Sequence, residues 1–595
     1  MSKITETSGS LLDKYFYLFL SATVFLALAL RITALLSLKE SIYFDFLLWD
    51  ERVYHTWAEK IADGTFQSSS VYEMAPLPAY LMALIYRVFS PDVLYIRIAN
   101  IFFGVLTCYL VYLIGKEMAN RTIGLFACLV ACLYKPFIFY SIVPLKTSLS
   151  VFLFASMVYF LVAILNRPSM IKAVVLGIAL GLVQNVRPNC VVLIPLVPLL
   201  IAWNYYKDKF SLKILAATLV LYGIGLFIAN SPFMIRNYIV AGETSATVSQ
   251  SGFNLFMCNN LKYSYPLPFA TTSPFEQGIQ FTIEASRRVG KRLTSREASA
   301  YWTGEVIKTI LEQPVAFVWR KCKKALAFFS WLERGDHYHI GFMSQFVPFF
   351  KIPFPGIWLI IPFGMAGMAL NMFVSRRLLA LSAIFLVYVS TLVLFFTNVR
   401  VRLPMLIILI PFAVIGINDL IGYVKKRDLK RLGVFLGIAA AFFVIEFLPD
   451  RSSGDMTAYQ NTHAIILNSM GRKDEAITYW EMSSRADGHY SPFANLSLAG
   501  KYYGKGDIRK AVYYLDRISE DSFAAAQKYD LLGDIMLRQK KVRRALEAYE
   551  KSLAINSGQR QVRMKLVKVY EKIDKKRALE EHEKLRYINS FYDLY

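Results

Sequence analysis

The 595-residue chain reads as an all-α protein: a polytopic helical membrane domain followed by a C-terminal solenoid of paired helices. Three observations predict this. The chain is 55% hydrophobic with a mean hydropathy of +0.40, too apolar for an ordinary soluble protein of this length. Apolar stretches of bilayer-crossing length recur between short basic loops. After Leu448 the composition turns polar, and a small residue returns at a near-constant interval.

The spans are read at 15–36, 93–115, 122–140, 147–165, 173–186, 189–205, 213–231, 357–374, 378–397, 403–424 and 432–448, about eleven transmembrane helices. The first lacks a small-residue cleavage pattern and is too long for a signal-peptide core, so it is expected to be retained. Residues 75–89 open with two prolines and are too short to span, which suits an interfacial or re-entrant segment. With the N-terminus inside, the inner loops carry Lys116 and Arg121, Arg167 and Lys172, Lys207, Lys209 and Lys213, Arg376 and Arg377, then the cluster from Lys425 to Arg431. That is the positive-inside pattern. It puts loops 37–92 and 232–356 and the C-terminal domain outside a plasma (inner) membrane, which accounts for much of the net charge of +24 without nucleic acid. No nucleic-acid-binding module is present.

The domain boundary is placed at 448/449. Beyond it Ala476, Ala511 and Ala545 lie 35 and 34 residues apart. Each is followed four residues later by a large residue (Trp480, Leu515, Tyr549) and preceded by a small one twelve residues earlier (Ala464, Ala499, Gly533). This register resembles the tetratricopeptide repeat, in which small residues let two helices cross closely. A degenerate unit around Ala578 is expected to cap the stack, and such an array offers a surface to a protein or peptide partner.

The stretch LLWDERVYHTWAEKIADG, residues 47–64, follows the first span. Val53, Tyr54, Trp57, Ala58 and Ile61 share one helical face, and Asp50 is a natural N-cap with Glu51 suited to the helix dipole. The segment 318–332 mixes Trp319, Leu326 and Phe329 with Arg320, Lys321, Lys323 and Lys324, as a basic amphipathic helix at a membrane surface does. Of the six cysteines, only Cys258 and Cys322 lie outside apolar segments, and they would pair only in an oxidising space.

The order WDERVYHTWAEKIADG, MAPLPAYLMALIYRVFS, RIANIFFGVLTCYLVYLIGKEMANRTIGLFACLVACLYKPFIFYS, VRPNCVVLIP, PFMIRNYIVAG and VRVRLPMLIILIPF resembles the glycosyltransferase C superfamily. It is nearest the protein mannosyltransferase and aminoarabinose transferase-like branch, whose members can carry C-terminal tetratricopeptide repeats. The resemblance covers roughly residues 15–448 and implies transfer of a sugar from a polyprenyl-phosphate donor to an acceptor hydroxyl outside the membrane. It puts the catalytic carboxylate at Asp50, with Glu51 beside it, because a poor nucleophile needs a positioned base. A phosphate leaving group needs cations at the same edge, for which Arg187, Arg236, Arg400, Arg402 and Lys146 are the candidates; the alternative for each is an interfacial cation that snorkels. Arg31 and Arg97 are expected to pair with acidic residues or headgroups. Glu333 matches an acidic position of relatives and is the acceptor-site candidate.

The chain departs from the pattern at Met74, where relatives carry lysine, at Lys146, where many carry an acidic residue, and at Cys258-Asn259-Asn260, where a Gly-Asn-Asn turn is common. A donor like theirs therefore does not follow. Glu333, Asp336, His337 and His339 invite a zinc reading, but without a second ligand pair an exposed polar loop is expected and no metal site is assigned. No cofactor is fixed by the sequence, and a divalent cation is left open. Two rivals stand: a lipid-linked oligosaccharide ligase or polymerase, and a membrane-anchored scaffold whose working part is the repeats.

Overall fold

A computed structural model describes residues 11–66, 70–243, 248, 250–261, 274–448 and 455–592, so the 448/449 boundary and parts of the long insertion lie outside the described residues. No strand occurs among them. The chain forms two compact units: Met1–Ser41 with Ala75–Phe233 and Lys323–Pro449, and Ile42–Met74 with Met234–Cys322 and Asp450–Tyr595.

In the first unit a helix forms at each of the eleven expected spans. Among the described residues seven helices are long and apolar enough to cross a membrane, or up to eight counting Arg121–Leu133 with Lys135–Ile142, which are bent by 57°. Met170–Gln184 and Ile357–Asn371 are shorter apolar helices. The break lies at Tyr134, which is extended (φ −72°, ψ 111°), and Pro136 in the first turn of the next helix has no N–H to continue the ladder across it. The outer helices turn apolar side chains outward, among them Tyr17, Phe25 and Leu36 on Phe16–Lys39 and Phe227 and Ile239 on Leu212–Ala241. Water would penalise that surface and lipid does not. By contrast, Val399–Lys426 is buried at every position from Arg402 to Gly416, so it is the centre of the unit.

Helix crossings rest on small residues, as dispersion-driven packing in lipid requires. A Cβ on Gly177 would sit 2.1 Å from the Tyr222 carbonyl oxygen, and one on Gly225 2.1 Å from that of Val174. Where the chain turns between Ile142 and Thr147, loose carbonyls are met from a neighbouring helix. Asn100 donates to Val143 O and Leu145 O, and Arg97 donates to Ile142 O. Arg31 likewise departs from the expected acidic pairing: it donates to Ser141 Oγ, Ala27 O and Cys108 Sγ. For Arg31 a hydroxyl, a thiol and a carbonyl of its own helix are the acceptors, and for Arg97 the Ile142 carbonyl at the turn.

The second unit joins the segment before Met74, the insertion and four helix pairs: Thr457–Ser469 with Lys473–Arg485, Ser491–Gly504 with Ile508–Asp516, Ala525–Arg538 with Val542–Ile555, and Arg560–Ile573 with Lys575–Tyr592. The small–large register works as the spacing predicts. Ala464, Ala476, Ala499, Ala511 and Ala545 are fully buried, and Gly533 backs onto the Tyr549 ring, whose hydroxyl donates to Asp534 at 2.7 Å. Thr294 and Glu297 form a capping box that starts Ser295–Glu312. Cys258 is buried and Cys322 exposed, and no disulfide joins them.

Three repeats end their first helix with the same reversal. Gly471 N–H donates to Asn468 O and Arg472 N–H to Leu467 O; Gly506 and Asp507 repeat this on Tyr503 and Tyr502, and Lys540 and Lys541 on Leu537 and Met536. The reversing residue is left-handed each time, with φ of 80° at Gly471, 84° at Gly506 and 63° at Lys540. Only the third carries a side chain, at a steric cost of about 1 kcal/mol. Lys540→Gly should therefore stabilise the protein by about 0.5–1 kcal/mol, read as a higher melting temperature.

His463 supplies a second prediction. Burial, helped by the nearby Arg472 charge and opposed by Glu475, lowers its pKa to about 4. The folded state thus holds the neutral ring, whose stabilisation is present above about pH 6.5 and is lost as pH falls toward 4. Stability should drop over that window by up to about 3 kcal/mol, and a wild type minus His463→Asn difference in chemical melts should isolate the slope.

Candidate active site

The acidic turn belongs to the helix Trp49–Ala62. Its N-cap is Leu48, so Asp50 is not the cap; it occupies the first turn with Glu51. Leucine has no acceptor, and the carboxylate one turn on supplies it: Glu51 Oε2 accepts the Leu48 N–H at 2.9 Å. Trp49 enters the helix at φ 37°, a left-handed conformation that costs a bulky residue about 1–3 kcal/mol and redirects the chain into this turn. Asp50 is 8% exposed and Glu51 1%. Of the predicted face, Tyr54 and Ala58 are buried and Val53, Trp57 and Ile61 partly so.

Arg236 lies in the same unit, near the end of Leu212–Ala241. Its guanidinium donates to Ser70 O at 2.6 Å and Asn237 Oδ1 at 3.2 Å, and lies over the Tyr72 ring. The residues before Met74 therefore orient this cation through main-chain and aromatic contacts.

The other predicted residues belong to the first unit, where they form two linked groups. Arg187 donates to Ser150 Oγ and, at 3.0 Å, to Arg400 O; Arg400 pairs with Asp336 at 2.6 Å. Arg402 is 2% exposed and donates to Phe328 O, Ser330 O and Leu332 O. It thereby fixes the strand of chain leading to Glu333, and its charge acts on both Glu333 and the fully buried Glu446. Burial raises the Glu333 carboxyl above its usual range, against the opposing pull of Arg402 and a 2.9 Å bond from the Tyr134 hydroxyl. Lys146 is the N-cap residue of Thr147–Asn166.

The loop from Glu333 to His339 is not the exposed loop expected. Its residues are half-buried or buried, Asp336 is engaged by Arg400, and His339 Nδ1 accepts the Phe342 N–H that starts Ile340–Met343. Those local partners pull the loop inward. Among the described residues no group of three or more His, Cys, Asp or Glu side chains is placed to hold a metal ion. Tyr134 is a site neighbour that sequence reasoning passed over, and its only signal was its place two residues before Pro136. Asp336 was read only as part of a zinc-like cluster, because its partner Arg400 is distant in sequence.

Comparison with known proteins follows this geometry. Residues 73–233 match the dolichyl-phosphate-mannose-protein mannosyltransferase family, and residues 464–571 match a tetratricopeptide repeat-like domain. No curated protein matches the chain. Among solved structures, the archaeal oligosaccharyltransferase AglB from Archaeoglobus fulgidus, in complex with an inhibitory peptide and a dolichol-phosphate, is similar at 14% identity and a TM-score of 0.42, over 76% of this chain and 58% of that one. ArnT from Cupriavidus metallidurans bound to undecaprenyl phosphate is similar at 11% identity and a TM-score of 0.38, over 88% and 78%. The chain thus spans less than two thirds of the oligosaccharyltransferase it matches. The chain is a multi-pass membrane protein in which a segment matching the dolichyl-phosphate-mannose-protein mannosyltransferase family precedes one matching a tetratricopeptide repeat-like domain.

Proposed function

We propose that the protein is a membrane glycosyltransferase that moves a sugar from a polyprenyl-phosphate donor to an acceptor hydroxyl on the extracytoplasmic side. The observation that carries this reading is the acidic turn at Trp49–Glu51, set just ahead of the mannosyltransferase-family segment. The family resemblance puts the base at Asp50, beside Glu51, whose Oε2 accepts the Leu48 N–H. In the reaction Asp50 takes the hydroxyl proton as the acceptor oxygen bonds to the anomeric carbon. The bond from that carbon to the phosphate oxygen breaks, and the polyprenyl phosphate leaves with the electron pair.

Arg187, Arg236, Arg400 and Lys146 are the cations offered to that phosphate, and Arg402 holds the frame around Glu333. Glu333, whose carboxyl burial pushes above its usual range, is proposed to line the acceptor site. Basic loops between the spans support an inner-membrane orientation with the N-terminus cytoplasmic and the repeats outside. The repeat surface is proposed to take a peptide or protein partner.

Purified protein with a panel of radiolabelled polyprenyl-phosphate sugars tests the reaction. Asp50→Asn should reduce transfer by about a thousandfold or more with a melting temperature close to wild type, and wild-type turnover in that variant defeats the assignment. Glu51→Ala should instead lower stability by about 1–2 kcal/mol through loss of the cap. Arg400→Ala should raise the donor KM about tenfold, by removing one charge-assisted phosphate contact.

A further inference from the structure

The lead-in to the acidic helix is held by the first repeat. The Tyr43 hydroxyl and His463 Nδ1 are 2.7 Å apart, and both residues are buried. The rings pack 5.6 Å apart, and His463 stacks edge-on against Tyr479 at 4.3 Å. Ile42 packs against the core of that repeat, formed by Ala464, Leu467, Ala476 and Trp480. Tyr43 lies seven positions before Asp50, so the carboxylate is tethered within about 23 Å of this anchor even if the chain were fully extended.

The opposite end of the array holds the insertion. Asn556 donates to Gln280 at 3.1 Å in a buried contact, and Ile279 and Ile283 of Pro274–Val289 form one apolar cluster with Ile588 and Phe591. Arg292 donates to Ser590 O and lies over the Phe591 ring. Pro274–Val289 in turn meets the segment that carries Asp50: it contacts the helix Trp49–Ala62, and Gly278 lies against the Glu73 carboxylate. Repeats, first loop and insertion therefore close a ring within one unit.

We propose that the two ends of the repeat array act in cis as the mount of the loops, and that His463 is a positioning residue for Asp50. An array serving only as a display for partners has no need to bury a tyrosine of the first loop at one end and an insertion helix at the other. The proposal rests on the reading of Asp50 as the base, and the test separates the two.

The full-length protein is compared as wild type, Tyr43→Phe, His463→Ala and His463→Asn, with Asp50→Asn as the catalytic control. Asparagine places an acceptor oxygen where Nδ1 lies, so it is the conservative variant. Amide hydrogen exchange over residues 49–62 and the kcat and donor KM of transfer are the readouts. Tyr43→Phe and His463→Ala should speed exchange in that segment about tenfold and lower kcat about tenfold with KM within about twofold, and His463→Asn should recover both. Unchanged exchange over 49–62 overturns the mount. Faster exchange with unchanged kcat, in a protein that Asp50→Asn inactivates, overturns the positioning role. If the wild type transfers nothing from any donor in the panel, the reading of Asp50 fails, and the exchange result alone decides the mount.

Discussion

A charge withdrawn from water must be answered by neighbouring atoms, and the placement of every functional candidate in this protein follows from that demand. Arg402 is met by three carbonyls, Arg187 by a hydroxyl and the Arg400 carbonyl, Arg400 by Asp336, and Arg31 by a hydroxyl, a thiol and a carbonyl. For Arg402 those partners are available because the helix Pro314–Phe328 has ended and leaves main-chain acceptors unused; the other arginines are met largely by side chains. The helix end at Phe328 and these side chains are thus what make a cationic cluster affordable inside an apolar unit.

The same logic separates two adjacent carboxylates. Asp50 and Glu51 are chemically similar and equally local, yet the capping geometry takes the second and not the first. The N–H of Leu48 is met from one turn on by Glu51, whose side chain reaches back over the helix start. The left-handed Trp49 then becomes intelligible as a strained entry maintained by the buried turn that follows it.

The repeats were legible because their physics is local. A small residue is needed wherever two short helices cross, so the interval between Ala476, Ala511 and Ala545 is written directly in the chain, and the buried positions follow it. The spans were legible for a comparable reason, as hydrophobic thickness sets a minimum length. The bend at Tyr134 was only half-visible: Pro136 marks a break, but its 57° angle depends on what packs around it. The polar loop from Glu333 to His339 was misread as exposed because nothing in its composition reveals that Arg400, Tyr134 and Arg402 surround it.

By itself, then, the sequence determined the helical class, the apolar spans, the repeat register and the types of residue at the candidate site. Only the tertiary structure decided which groups answer the buried charges, with Asp336 set against Arg400. It also showed that Arg402 is buried among carbonyls, and that Tyr43 is joined to a histidine 420 positions away. Periodicity and capping are properties of neighbours along the chain, whereas the answer to a buried charge comes from whichever element folding brings against it.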